Sequence, residues 1–290
     1  MRRLALLIAL IALAGCTARA ADSDGRLHVV AAESFWGSLA AQLGGDRVRV
    51  TSVVHTPGAD PHDYEPTPGD ARAMATAKLA IVNGVGYDPW AQKLIDANPV
   101  GGRVVLNVGK LAGVPGGGNP HRWYAPGDVQ RVIDAITASY KRILPRDAAY
   151  LDARRAALEA RLARYRSLIA SIRSRFGGTP VGASESIFQP LASGLGLRLI
   201  TPTGFMNAVS EGGDPTAADR STVDRQIAGR QIRLWVYNSQ NATPDVKRLT
   251  GEARSAGIPV VTVTETPEPA SAAFQDWQVR QLEEIARALA

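Results

Sequence analysis

The sequence predicts an α/β fold of two lobes with mostly parallel sheets, joined by one long rigid helix. Three observations predict it. Short β-branched runs alternate with amphipathic stretches over 26–125, the order expected of βαβ units. From 127 to 176 the strand signal nearly vanishes, and after 177 the alternation resumes. A chain of 290 residues, 45% hydrophobic and 21% charged, is long enough for two modest domains and too apolar for disorder.

The first segment, "MRRLALLIALIALAGC", reads as an export signal. Arg2 and Arg3 form a basic start, Leu4 to Leu13 an apolar run too short to span a membrane, and small residues close it. Residues 1–15 are therefore the expected signal peptide. Cys16 is the only cysteine, so no disulfide forms within the chain and the thiol is open to another use. "LAGC" resembles the lipobox of bacterial lipoproteins, which implies a diacylglyceryl anchor on Cys16. Two acyl chains suffice for stable membrane attachment. Residues 16–25 then serve as a polar tether. Losing Arg2 and Arg3 takes the formal net charge from +6 to +4. The remaining Lys and Arg are scattered along helical stretches rather than grouped with aromatics, which argues against a nucleic-acid groove.

In the first lobe, 26–125, strands are expected at 27–33, 48–54, 79–84 and 103–107, with helices at 34–43, 68–77 and 88–97 between them. Thr67 before Pro68, with Asp70 three residues on, has the form of an N-cap and first-turn proline, and Pro126 with Asp128 repeats the device. The helical segment, 126–176, runs to Leu144, breaks at Pro145 and resumes as one helix of roughly thirty residues, about 45 Å long. Gly177 and Gly178 end it. In the second lobe, 177–290, strands are expected at 180–185, 197–201, 232–237 and 258–265, and helices at 216–228, 244–256 and 271–289. Gly257 suits a helix C-cap. Phe274, Trp277, Leu282, Ile285 and Leu289 keep helical spacing and read as a core face.

Only four histidines occur, and two share a tripeptide shape: His62 in "DPH" and His121 in "NPH". Each follows an expected strand and precedes a proline-opened helix. The prolines stiffen both turns, and an imidazole on a rigid turn loses little freedom on binding a metal. Their separation in sequence does not suit a zinc finger, so the fold must assemble any site from different strand ends, where open α/β sheets bind ligands. His28 alternates with apolar residues and reads as a hydrogen-bonded strand histidine. His55 is a candidate partner for a ligand's second ring nitrogen. Asp60 and Asn119 suit local Asx turns.

"GADPHDYEPTPGDARAMATAKLAIVNGVGYDPW" followed by "NPHRWYAPGDVQRVIDAI" resembles the metal-specific solute-binding lipoproteins of bacterial zinc and manganese ABC importers, over about 27–289. The resemblance implies two Rossmann-like α/β lobes bridged by a long helix, with a metal ion in the cleft. It implies extracytoplasmic capture of manganese or zinc, or iron, and delivery to an ABC permease. It also implies a monomer that is not an enzyme, lipid-anchored at the extracellular face or in the periplasm. The implied metal ligands are His62, His121, Glu185 in "GASESIF" and Glu265 in "VTETPEP", with Glu268 an alternative for the fourth, where the family more often carries aspartate. Two neutral imidazoles and two carboxylates bring a divalent cation to formal neutrality, which limits the cost of enclosing it.

Zinc favours nitrogen and sulfur in a tetrahedron, whereas bidentate carboxylates suit manganese. The segment "GKLAGVPGGGNPH" lacks the histidine-rich loop that the resemblance associates with zinc importers, which tilts the expectation toward manganese with zinc close behind. Two alternative classes make different demands on the sequence. A metal-dependent hydrolase needs an open coordination position and a base, and no G-x-S-x-G or H-E-x-x-H motif occurs. A surface adhesin needs an exposed apolar patch and no metal.

Overall fold

The computed structural model describes residues 25–290 except 57, 59–61 and 63. The expected signal peptide, Cys16, most of the tether and Asp60 lie outside the described residues. Among those described, no helix is long and apolar enough to cross a membrane.

The first lobe runs β1 (Leu27–Glu33), α1 (Ser34–Gly44), β2 (Val48–Val54), α2 (Pro68–Thr76), β3 (Leu79–Val82), α3 (Pro89–Ala97), β4 (Val104–Asn107) and α4 (Val108–Ala112). Its sheet has the order β2-β1-β3-β4 and every pairing is parallel, with Val29 opposite both Val50 and Leu79. Buried on both faces, the central strands carry near-continuous apolar runs such as "VVAA" rather than strict alternation. Thr67 caps α2 as expected, in a reciprocal pair with Asp70. Pro126 does open the next helix, but Ala125 has no side chain to cap it. Asp128 is buried and binds Arg122 and Arg131 instead.

The helical segment comprises α5 (Pro126–Ile143), α6 (Ala148–Arg161) and α7 (Ala163–Phe176). The single thirty-residue helix is therefore a correction: two helices of 14 residues meet at Leu162, whose ψ opens to −5°. No proline or glycine marks the break. The two halves lean on different partners, α6 on α1 and α5, and α7 on the helix at 274–289. The interruption falls where the partner changes, and buried Leu162 still bonds Leu158 O and receives Arg166 N–H.

The second lobe runs β5 (Pro180–Ala183), α8 (Gln189–Gly194), β6 (Arg198–Leu199), α9 (Thr203–Ser210), α10 (Ala217–Ala228), β7 (Trp235–Asn238), α11 (Pro244–Ser255), β8 (Val260–Val263) and α12 (Phe274–Leu289). Its sheet, β6-β5-β7-β8, is again all parallel and repeats the strand order of the first. Most strands of this lobe are shorter than the apolar runs suggested. Ser184 and Glu185, and Thr264 and Glu265, follow directly on the carboxyl ends of β5 and β8.

In each sheet the order reverses beside the lobe's first strand, so β1 and β5 mark the switch points where such sheets bind ligands. The two carboxyl edges face one another. One apolar core crosses the boundary, with Phe35 stacked 4.2 Å from Trp123 and 6.4 Å from Trp277. Helix α12 lies against both α7 and α1, where Phe274 N–H donates to Ser38 Oγ at 3.0 Å and Gln42 pairs with Gln275 at 3.1 Å.

Candidate metal centre

His121 follows Pro120 on the loop after α4 and is 1% exposed. Asn119 Oδ1 accepts its backbone N–H at 3.0 Å, the expected Asx turn, and also contacts Nδ1 at 2.9 Å. The amide Nδ2 of Asn119 is spent on Ser186 O and Gln189 Oε1. Oδ1 is therefore the acceptor, and Nδ1 carries the proton by hydrogen-bond assignment. Nε2 faces Glu265 Oε1 at 3.6 Å and is the ring nitrogen placed to meet a metal ion, which would displace any proton shared with that carboxylate. Asn83, at the end of β3, donates to Pro120 O at 2.8 Å and accepts from Trp36, which ties the turn to the first sheet.

Glu265 follows β8 and has its backbone N–H held by Gln240 Oε1 at 2.8 Å. Its carboxylate receives the Tyr87 hydroxyl on Oε2 at 2.9 Å and the Asn238 amide on Oε1 at 2.9 Å. Burial alone would push this carboxyl up. The charge and hydrogen bonding of His121, the Tyr87 hydroxyl and the charge of His62 outweigh it and hold Glu265 below the ordinary carboxylate value. Glu268, the alternative, is exposed.

Glu185 follows β5 and is 1% exposed. It makes no helix-capping bond. Its two oxygens accept instead from Asn238 Nδ2 and, at 2.7 Å, from Asn241 Nδ2. His62 lies on an exposed turn, its ring 4.9 Å from that of Tyr87, which also lies 4.9 Å from Trp123 and 6.0 Å from His121. The Tyr87 ring thus stands between the two imidazoles. A cavity of about 270 Å³ opens beside them, lined by His62, Gly86, Asn119, Ser186, Asn207 and Glu211 among others.

The four candidate side chains are connected through shared neighbours: Tyr87 touches both imidazoles and Glu265, Asn238 bonds both glutamates, and His121 Nε2 approaches Glu265 Oε1 directly. Among the described residues no three His, Cys, Asp or Glu side chains lie close enough to hold a metal ion. His28 bonds Thr76 Oγ1 at 3.0 Å, as a strand histidine should. His55 turns back on Ser52 O and Val53 O rather than toward His62. Tyr87, Asn238 and Asn241 were missed in the sequence. Tyr87 had a signal, since it stands inside "NGVGYDPW", part of the stretch that carries the family resemblance. The two asparagines are indistinguishable in sequence from ordinary turn formers.

A family model described as "ZnuA: Zinc-uptake complex component A periplasmic" matches residues 29–288. The manganese-binding lipoprotein MntA of Halalkalibacterium halodurans is 34% identical over 139 residues, 45% of each chain. The iron-binding protein YfeA of Yersinia pestis is 27% identical over 191 residues, 61% of this chain and 59% of that one. The chain thus spans about half the length of the curated relatives it matches. Among solved structures, a manganese-bound periplasmic metal-binding protein from Candidatus Liberibacter asiaticus superposes with TM-score 0.74 at 18% identity, covering 91% of this chain and 100% of that one. The periplasmic zinc-binding protein TroA of Treponema pallidum gives 0.73 at 18%, covering 92% and 100%. At these identities the likeness is one of fold.

Proposed function

The chain belongs to the family of zinc-uptake complex component A, and from that membership we propose that it captures a divalent transition metal ion between its lobes and delivers it to an ABC-type membrane permease. The metal is cargo, held by His62 and His121 from the first lobe and Glu185 and Glu265 from the second. The observation that carries this reading is the approach of His121 Nε2 to Glu265 Oε1, 3.6 Å across the cleft. An imidazole and a carboxylate from facing strand ends form half of a neutral donor set for a divalent cation. His62 and Glu185 supply the other half of the set. The role is transport, not catalysis.

Manganese and zinc are the favoured cargoes, with manganese ahead because two of the four donors are carboxylates. Cys16 carries the lipid anchor, which places the protein at the outer face of a membrane beside its permease. The deciding experiment is elemental analysis by mass spectrometry of protein isolated without chelator. About one equivalent of manganese or zinc is expected, and protein free of both that also fails to bind either on titration would overturn the reading.

A further inference from the structure

Asn238 ends β7 fully buried, and every polar atom of its side chain is engaged. Its Oδ1 accepts Gln240 N–H at 3.0 Å, and the two hydrogens of Nδ2 go to two different glutamates, Glu185 Oε1 and Glu265 Oε1. Asn241 Nδ2 takes the second oxygen of Glu185, and the Tyr87 hydroxyl the second oxygen of Glu265. All four oxygens of the two carboxylates are therefore fixed by neutral donors. An aspartate of the same shape at 238 would offer no donor and would add a third like charge.

Resting on the metal-site reading above, we propose that Asn238, with Asn241, sets the metal preference of the cleft by pinning the planes of Glu185 and Glu265. A carboxylate free to rotate turns one oxygen toward a small ion and binds it through that atom, which suits zinc in a tetrahedron. A carboxylate held at both oxygens presents its edge, and each oxygen keeps a second lone pair for the ion. Two such edges raise the coordination number and favour an oxygen-seeking ion of manganese type over zinc. Asn238 is the one group that reaches both glutamates, so it also fixes the angle between them. These asparagines are positioning residues that never touch the cargo.

The test is competitive titration of the full chain with manganese chloride and zinc chloride for wild type, Asn238→Ser and Asn241→Ala, read as the ratio of Kd for manganese to Kd for zinc. Loss of a hydrogen bond that orients a metal ligand changes affinity by about 10- to 100-fold. The ratio is expected to rise about tenfold in Asn238→Ser and less, in the same direction, in Asn241→Ala. Both Kd values moving by one common factor, in either variant, would mean a structural role only and would overturn the inference. Asn241→Ala decides the matter alone if Asn238→Ser does not fold. Wild-type protein that binds neither ion overturns the reading of the cleft itself, which separates that failure from this one.

Discussion

The hydroxyl of Tyr87, in the first lobe, donates to Glu265 Oε2, in the second, at 2.9 Å. This bond links the lobes at the site itself and orients a carboxylate that also faces His121. Tyr87→Phe removes the hydroxyl and keeps the ring between the two imidazoles. A hydrogen bond to a charged group contributes about 1.5–3 kcal/mol. The variant should melt a few degrees lower and bind metal about tenfold more weakly. Calorimetry and metal titration read both, and wild-type values in each would remove Tyr87 from the site.

His121→Ala deletes the imidazole whose Nε2 faces Glu265 Oε1 at 3.6 Å. Stoichiometric binding of manganese and zinc should disappear while far-UV circular dichroism stays unchanged. Asn119→Ala keeps the imidazole and frees its Nδ1, so affinity should fall without vanishing. Equal affinity in Asn119→Ala and wild type would show that the Asn119 bond does not set the ring's protonation.

Glu33 is fully buried beside Asp88, whose oxygens accept the backbone N–H groups of Asn83 and Gly84, each at 2.7 Å. Burial first, and the charge of Asp88 second, push the Glu33 carboxyl well above its usual value. The folded protein therefore holds a proton there that the unfolded chain releases. Its stabilising contribution is complete below the unfolded pKa of about 4.3 and is lost as pH rises through the raised folded value. Glu33→Gln has no such proton and should lose less stability between pH 5 and 9 in urea titrations. Parallel pH profiles for the two proteins would contradict this.

Glu265 has the opposite sign. Its carboxyl is held below the ordinary value, so its contribution is present above the unfolded pKa of about 4.3 and is lost as pH falls through the lower folded value. Chelator-treated wild type should lose stability on acidification below about pH 4.5 more steeply than Glu265→Gln. Thermal melts from pH 3 to pH 6 measure it, and identical slopes would mean that His121 and Tyr87 do not favour the charged form.

Anchoring rests on "LAGC" alone. Cys16→Ser should move the protein from the membrane fraction to the soluble exported fraction in a host that processes lipoproteins. An unchanged distribution would sever Cys16 from localisation.

What could be read beforehand depended on how local its cause is. The Thr67–Asp70 cap was legible because four consecutive residues specify it. The strands β1 and β2 were legible to the residue, since their apolar runs are bounded by polar or turn residues. The break at Leu162 was not, because it arises where the helix changes partners and leaves no mark in composition. The short helices α4, α8 and α9 were missed for a similar reason: each is too brief to show a period. Within the site, His62 and His121 announced themselves by a repeated turn. Glu185 was reached only through the family resemblance, and Asn238 not at all, because its importance lies in two glutamates on other strands.

The position of α12 bears on the order in which the molecule can be made. Phe274 and Trp277 complete a core that begins with Phe35 and Ser38, and the bond from Phe274 to Ser38 spans 236 positions of sequence. During synthesis the strands of the first lobe emerge long before the helix that closes over α1. Contacts of such separation form slowly, since the loop must close before they contribute anything. A nascent chain stopped short of α12 therefore holds one apolar flank of its first lobe open to solvent. Closure of the core over α1 therefore waits for the last helix of the chain to be made.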